Sequence, residues 1–170
     1  MDECSTNIAL TRLYARAPKG ERAYGQAPRN WGKNITLIAS LSTEGVGAAM
    51  SVEGATDGAA FETYIEHFLA PTLKDGQVVV MDNLQVHKSR RVKEIIEGAG
   101  AEVLFLPPYS PDFSPIEETF SKVKGILCRV GARTREALVE ATGQALDAVS
   151  QRDAVGWFEH CGYDIAHQSL

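Results

Sequence analysis

Residues 77–108 read QVVVMDNLQVHKSRRVKEIIEGAGAEVLFLPP, and this stretch restricts the fold more than any other part of the chain. "VVVM" is a short apolar run suited to a strand buried on both faces. A helical stretch follows, with Val92, Ile95, Ile96 and Ala99 on one face and a stop at Gly98 and Gly100. "AEVLF" then gives a second strand, closed by Pro107 and Pro108. A strand, a helix and a strand of these lengths form a crossover, so the two strands are expected to be parallel neighbours in one sheet.

The first of these strands ends in an acid. Asp82 follows Met81 directly, with Asn83 beside it and His87 close behind. Such an acid is either a turn or cap residue or a carboxylate at the rim of a sheet, where a metal can bind. Asp82 stands several residues too early to cap a helix that starts near His87. Ligand sites in open α/β sheets lie beyond the carboxyl ends of parallel strands, which favours a functional Asp82. His87 is expected to support or cap, because no partner histidine has metal-ligand spacing.

Upstream, "ITLIASLS" and "VGAAMSVEG" are β-like runs joined by "TEG", the pattern of a hairpin. In "DGAAFETYIEHFLAP", Phe61, Tyr64, Ile65, Phe68 and Leu69 recur at helical spacing, predicting an amphipathic helix that stops at Pro71. His67 within it reads as a surface residue. Helices are also expected from Pro115, over residues 134–149, and around Trp157. The order is a hairpin, then alternating helix and strand, then helices, which predicts an α/β fold with helices packed on a mixed sheet.

With 170 residues, 44% of them hydrophobic, the chain suits one domain with a sizeable core. No run approaches the roughly 18 apolar residues of a membrane span, and no signal peptide opens the chain, so no membrane partner is expected. Cys4, Cys128 and Cys161 are odd in number and lack paired zinc spacing, pointing to reduced thiols and a cytoplasmic location.

The second acidic region is "PPYSPDFSPIEETFSKVK". Ser114 suits an N-cap and Pro115 the first helical position, and Ser114-x-x-Glu117 is a capping box that would explain Glu117 structurally. A place in a functional site is equally open. Ile116, Phe120, Val123 and Leu127 form the core stripe of this helix. Glu118 stands four residues before Lys122, predicting a solvent-side ion pair. Glu117 lies beside the stripe, with Ser121 and Lys124 along its row, and is the better candidate to reach a site. In "MDECSTN", Asp2 and Glu3 carry no periodicity to judge them by, and a mobile acidic end is the default.

Net charge is −5, from 17 basic and 22 acidic residues, which argues against a protein that coats nucleic acid. Residues 11–33 nevertheless carry Arg12, Arg16, Lys19, Arg22, Arg29 and Lys33 against Glu21, a local +5. A solvated loop and a phosphate-contacting surface are equally compatible with that.

"MDNLQVHKS" followed by "LPPYSPDFSPIEETFSKVK" resembles the catalytic core of DDE transposases of the mariner-like superfamily, especially its bacterial insertion-sequence branch. The 34 residues between Asp82 and Glu117 match a spacing typical of that superfamily, and "DECSTN" resembles the stretch that holds its first aspartate, at Asp2. The likeness covers essentially the whole chain. It implies a ribonuclease-H-like mixed sheet flanked by helices, with residues 1–170 as the catalytic domain. Asp2, Asp82 and Glu117 would be both the catalytic residues and the metal ligands, with Asn83 and His87 in support. The implied cofactors are two Mg²⁺ or Mn²⁺ ions, suited to hard oxygen ligands and to in-line phosphodiester displacement. The implied partner is double-stranded DNA, both element ends and target, bound by a homodimer. Hydrolysis at the ends would be followed by strand transfer, with the DNA 3′-hydroxyl attacking the target. The basic segment would contact DNA phosphates.

Members of that superfamily carry a full strand before the first aspartate and helix-turn-helix domains further upstream. Because Met1 directly precedes Asp2, the first strand is expected to be missing, with Asp2 on a frayed end and metal held weakly. Two other readings stand beside this one. The chain could be an inactive, truncated remnant that binds DNA or a partner transposase without cutting. It could also be a phosphoacceptor or phosphatase domain in which Asp82 takes a phosphoryl group, which leaves the Glu117 helix without a role.

Overall fold

One strand is buried on both faces, and the molecule is layered around it. In the computed structural model, which describes residues 1–165, that strand is β2, Ile35–Ser42. Alternation sends Ile35, Leu37 and Ala39 to one face and Ile38 to the other. β2 pairs antiparallel with β1, Asp2–Thr6, on one side and with β3, Gly45–Glu53, on the other. The β2–β3 hairpin is the one expected, with a register shift between Ala39 and Leu41.

Helix α1, Gly58–Tyr64, starts at Asp57, whose side chain accepts from Ala60 N. It runs on as a π-helical turn, Ile65–Leu69, and a 3₁₀ turn, Ala70–Thr72, that holds Pro71. The π turn corrects one detail of the predicted stripe. Phe61, Tyr64, Ile65 and Leu69 are buried, but Phe68 is exposed and stacks on Tyr64. A wider turn advances less per residue, so Phe68 rotates off the core face.

β4, Val78–Met81, and β5, Glu102–Phe105, pair in parallel across α2, Arg90–Gly98, as the crossover pattern predicts. The antiparallel and parallel sheets meet between β1 and β4, where the Met1 nitrogen donates to Val80 O at 2.8 Å. On one side of this composite sheet, Phe61, Ile65, Val92 and Ile96 pack against Ile38, Val79 and Met81. On the other lie α3, Pro115–Val130, and α4, Arg135–Asp147. Their Ile116, Phe120, Val123, Leu127, Leu138 and Ala145 cover Cys4, Leu37 and Ala39. α5, Gln151–His160, packs on α3 and β3.

The expectation of a frayed Asp2 is corrected. Residues Asp2–Thr6 form a strand, in register with Ala39 through Ile35. The apolar runs of β2 supply a template, and a short segment beside such a strand gains a full ladder of hydrogen bonds. No helix among the described residues is long and apolar enough to cross a membrane.

The expected Glu118–Lys122 pair is also corrected. Lys122 Nζ instead lies 2.6 Å from Asp153 Oδ2 on α5. Asp153 already closes a capping box with Ser150, so its carboxylate is held in place before Lys122 arrives. A fixed partner on a neighbouring helix outcompetes a flexible one on the same helix. Asp153→Ala is therefore expected to cost about 1 kcal/mol, as loss of a helix cap does. Glu118→Ala should stay within about 0.5 kcal/mol. Urea unfolding of both variants at neutral pH measures this. Lys122 first, and then Ser150, hold the Asp153 carboxyl well below the usual range. A depressed carboxyl contributes stability above its unfolded pKa and loses it as pH falls toward the folded one. The gap between wild type and Asp153→Ala should thus narrow progressively below about pH 3.9.

Candidate active site

Three elements end or begin at one edge of the sheet, and each brings an acid. β1 carries Asp2, β4 ends at Met81 just before Asp82, and the first turn of α3 carries Glu117. Alternation along β1 turns Asp2 and the buried Cys4 toward α3, while Glu3 turns to the opposite face.

Asp2 is half-buried, and its Oδ1 accepts from Glu3 N at 2.7 Å. Burial pushes its carboxyl up to about 6 against that hydrogen bond, and the charges of Asp82, Glu117 and Glu3 push the same way. Asp2 is thus within the electric field of both other candidate acids. Burial likewise raises the Cys4 thiol, opposed by the Lys124 cation and reinforced by Glu117 and Asp2. Lys124, on the same helical row as Glu117, is therefore part of this neighbourhood, a role the sequence hinted at only through that row.

Asp82 does not cap the helix after it, because Ser89 is the N-cap of α2. Its Oδ1 instead takes the Leu84 N–H at 3.2 Å and lies 2.5 Å from His87 Nδ1. The other ring nitrogen, Nε2, lies 3.0 Å from Glu3 Oε2. His87 sits in a 3₁₀ turn, Gln85–Lys88, and its ring stacks on Phe61 at 4.3 Å between centroids. Burial disfavours a charged imidazole, but Glu3 and then Asp82 outweigh it, so the His87 pKa is raised. Glu3 gave no signal in the sequence beyond its place next to Asp2. Asn83 is half-buried beside Asp82.

The capping box expected for Glu117 is not made. Ser114 is the N-cap at φ −112°, ψ 90°, but its side chain makes no cap hydrogen bond, and the Glu117 side chain is exposed. The structural explanation of Glu117 therefore falls away and leaves its carboxylate uncommitted. Among the described residues, no three His, Cys, Asp or Glu side chains are gathered closely enough to hold a cation as they stand. The donor chemistry of Asp2, Asp82 and Glu117 nonetheless suits a hard divalent ion, and their mutual repulsion is what such an ion offsets.

The loop after β5 forms part of the same edge. Tyr109, between Pro108 and Pro111, adopts φ 59°, an uncommon left-handed conformation for a bulky residue, and is fully exposed. Leu84 and Phe113 are exposed as well.

The basic segment lies apart, in the irregular stretch between β1 and β2. Tyr14, Tyr24 and Trp31 are exposed along it. Its first and middle parts line a surface groove with the carboxyl end of α3, including Arg129, and with Arg133 in the connection to α4. Arg133 Nη1 donates to Ile8 O and Leu10 O, which fixes one base of the segment. Lys33 is already paired with Glu53 at 2.5 Å. Arg12, Arg16, Lys19, Arg22 and Arg29 form no ion pair among the described residues.

A comparison with curated proteins gave no match. Solved structures do match. The Mos1 transposase paired-end complex with the left transposon end gives a TM-score of 0.68 at 19% identity, over 94% of this chain and 52% of that one. The Mos1 strand transfer complex gives 0.67 at 19%, over 94% and 48%. The catalytic domain of the Mos1 mariner transposase gives 0.59 at 17%, over 76% and 68%. The chain spans about half the length of the first of these structures, and the likeness establishes a ribonuclease-H-like fold. Residues 1–139 match the family described as DDE superfamily endonuclease, and the chain, with the fold of a mariner-type catalytic domain, belongs to that family.

Proposed function

We propose that this chain is the catalytic domain of a metal-dependent DNA transposase, which cuts the phosphodiester backbone at element ends and joins the released 3′-hydroxyl to target DNA. Family membership supports this reading, and the observation that carries it is the convergence of three acids on one rim of the sheet, Asp2 on β1, Asp82 just past β4 and Glu117 in the first turn of α3. The Asp2 carboxyl is raised to about 6 by burial and by the charges of Asp82, Glu117 and Glu3. Acids that repel one another at the rim of a buried sheet cost stability unless they serve a cation.

Asp2, Asp82 and Glu117 would hold Mg²⁺ or Mn²⁺ ions, two in the reading favoured here. Mos1 paired-end structures are described with Mn and with Mg, which supports divalent ions at this site. When bound, such ions activate water and stabilise the leaving oxygen of an in-line displacement. The protein itself needs no nucleophile. Asp2 sits on β1, where the sheet restricts its backbone, Asp82 follows the last residue of β4, and Glu117 approaches from a helix anchored by Ile116 and Phe120 in the core. Lys124 offers a cation to a phosphate beside them. The unpaired arginines of the basic segment would bind duplex phosphates. The complexes described for Mos1 contain paired transposon ends, and a matching pair of catalytic domains makes a homodimer the proposed assembly.

Cleavage of DNA carrying the terminal sequences that flank the coding locus tests the proposal. Cutting should require Mg²⁺ or Mn²⁺ and cease with chelator. Asp82→Asn and Glu117→Gln should each slow it at least about a hundredfold, equivalent to roughly 2.7 kcal/mol of barrier, with thermal unfolding unchanged. Full activity in either variant would remove that residue from the site. For the basic segment, Arg12, Arg16 and Arg22 are replaced together by Gln and duplex affinity is measured across salt. The slope of log affinity against log salt should fall by about 0.9 for every phosphate these arginines neutralise. An unchanged slope would return the segment to a solvated loop.

A further inference from the structure

Asp82 stands just past the end of a strand, where its side chain would normally be free to turn. Here it is not free. His87 is 1% exposed, and its ring stacks on Phe61, itself wholly buried. That ring cannot rotate without leaving the core. Nε2 lies 3.0 Å from Glu3 Oε2, while Nδ1 meets Asp82 Oδ1 as a 2.5 Å ion-pair contact without hydrogen-bond geometry, on a side chain that is 40% exposed. The Glu3 side chain is itself only 13% exposed. Asp82 Oδ1 is further tied by the Leu84 N–H, while Oδ2 accepts no hydrogen bond among the described residues.

From this geometry we propose that Glu3 and His87 act as a positioning pair, holding a fixed imidazole against Asp82 Oδ1 so that Oδ2 is left available to a cation. The inference rests on the metal site described under the proposed function. Glu3 is one residue from Asp2 on β1, and β1 lies beside β4. The pair therefore ties one candidate ligand strand to the other through a side-chain bridge between residues 84 apart in sequence. Asp2 and Glu3 point to opposite faces, so the bridge restrains Asp82 without occupying the site. Partners that hold a ligand's orientation typically contribute about 10–100-fold to metal affinity. A buried histidine kept only for packing would show no such effect.

The test uses the 170-residue chain and Mn²⁺ alone, with free ion counted by electron paramagnetic resonance. Glu3→Met keeps the side-chain volume and removes the bond to Nε2. Glu3→Gln keeps an oxygen that can accept from Nε2. The expected result is Mn²⁺ affinity weakened about 10–100-fold by Glu3→Met and largely restored in Glu3→Gln, with Asp82→Asn weakened at least as much as Glu3→Met. If Asp82→Asn weakens binding and Glu3→Met does not, the positioning role is overturned while the metal site stands. If Asp82→Asn leaves binding unchanged, the metal site itself falls, and the pair with it. A second measurement needs no variant. In ¹⁵N-histidine spectra of the wild-type chain, the His87 ring signals should shift as Mg²⁺ is added and saturate with its binding. Ring signals that ignore a saturating ion would overturn the proposal even if Glu3→Met did not fold.

Discussion

The candidate site depends first on the pleat of β1. Its residues alternate between two packed faces, because β2 holds it in register on one side and β4 lies on the other. That alternation sends Cys4 into the core under α3 and keeps Asp2 on the same face, within the field of Glu117. It sends Glu3 the other way, onto His87. A slip of one residue in register would exchange these roles and bury Asp2 against the aromatic side of the sheet. The core thus fixes the chemistry at the rim. Leu37 and Ile38, on opposite faces of β2, are both fully buried, which leaves the sheet little room to shift.

The acids of the rim differ in how they are restrained. Asp2 is set by a strand, Asp82 by a histidine ring, and Glu117 by a helix whose core stripe is buried while its own carboxylate is not. One acid is therefore adjustable and two are held. For the metal site proposed above, such a division would let the site admit a large substrate and still define its geometry once that substrate is in place. Placing the adjustable group on the helix also separates its movement from the hydrogen bonds of the sheet.

Much of this was legible in the sequence, for identifiable reasons. The "VVVM" and "EVLF" strands, the helix between them and the hairpin before them follow from periodicities of two and of about 3.6 residues, which need no long-range information. Asp82 could be singled out because it terminates an apolar run. Local rules failed where a distant group competed. The i, i+4 rule sees Glu118 and Lys122 but not Asp153, already fixed by Ser150. The capping-box pattern sees Ser114 and Glu117 but not the proline-bounded turn that carries Ser114 away from cap geometry. Phe68 left the stripe because one turn widened. The bridge from Glu3 to His87 spans 84 residues and lay beyond any local pattern.

The irregular segment between β1 and β2 has a neck. Thr6 pairs with Ile35 at the last step of the ladder, and the Asn7 side chain donates to that of Asn34 just beyond it. Ile8 and Leu10 still pack on the core and are held by Arg133, and the stretch beyond them leaves the fold before returning at Asn34. The entropy of closing such a loop grows only with the logarithm of its length, so doubling it costs roughly 0.6 kcal/mol. Lengthening, shortening or rewriting this segment therefore barely taxes the sheet. It is the part of the molecule that evolution, or an engineer, can exchange as a cassette while the acidic edge stays as it is.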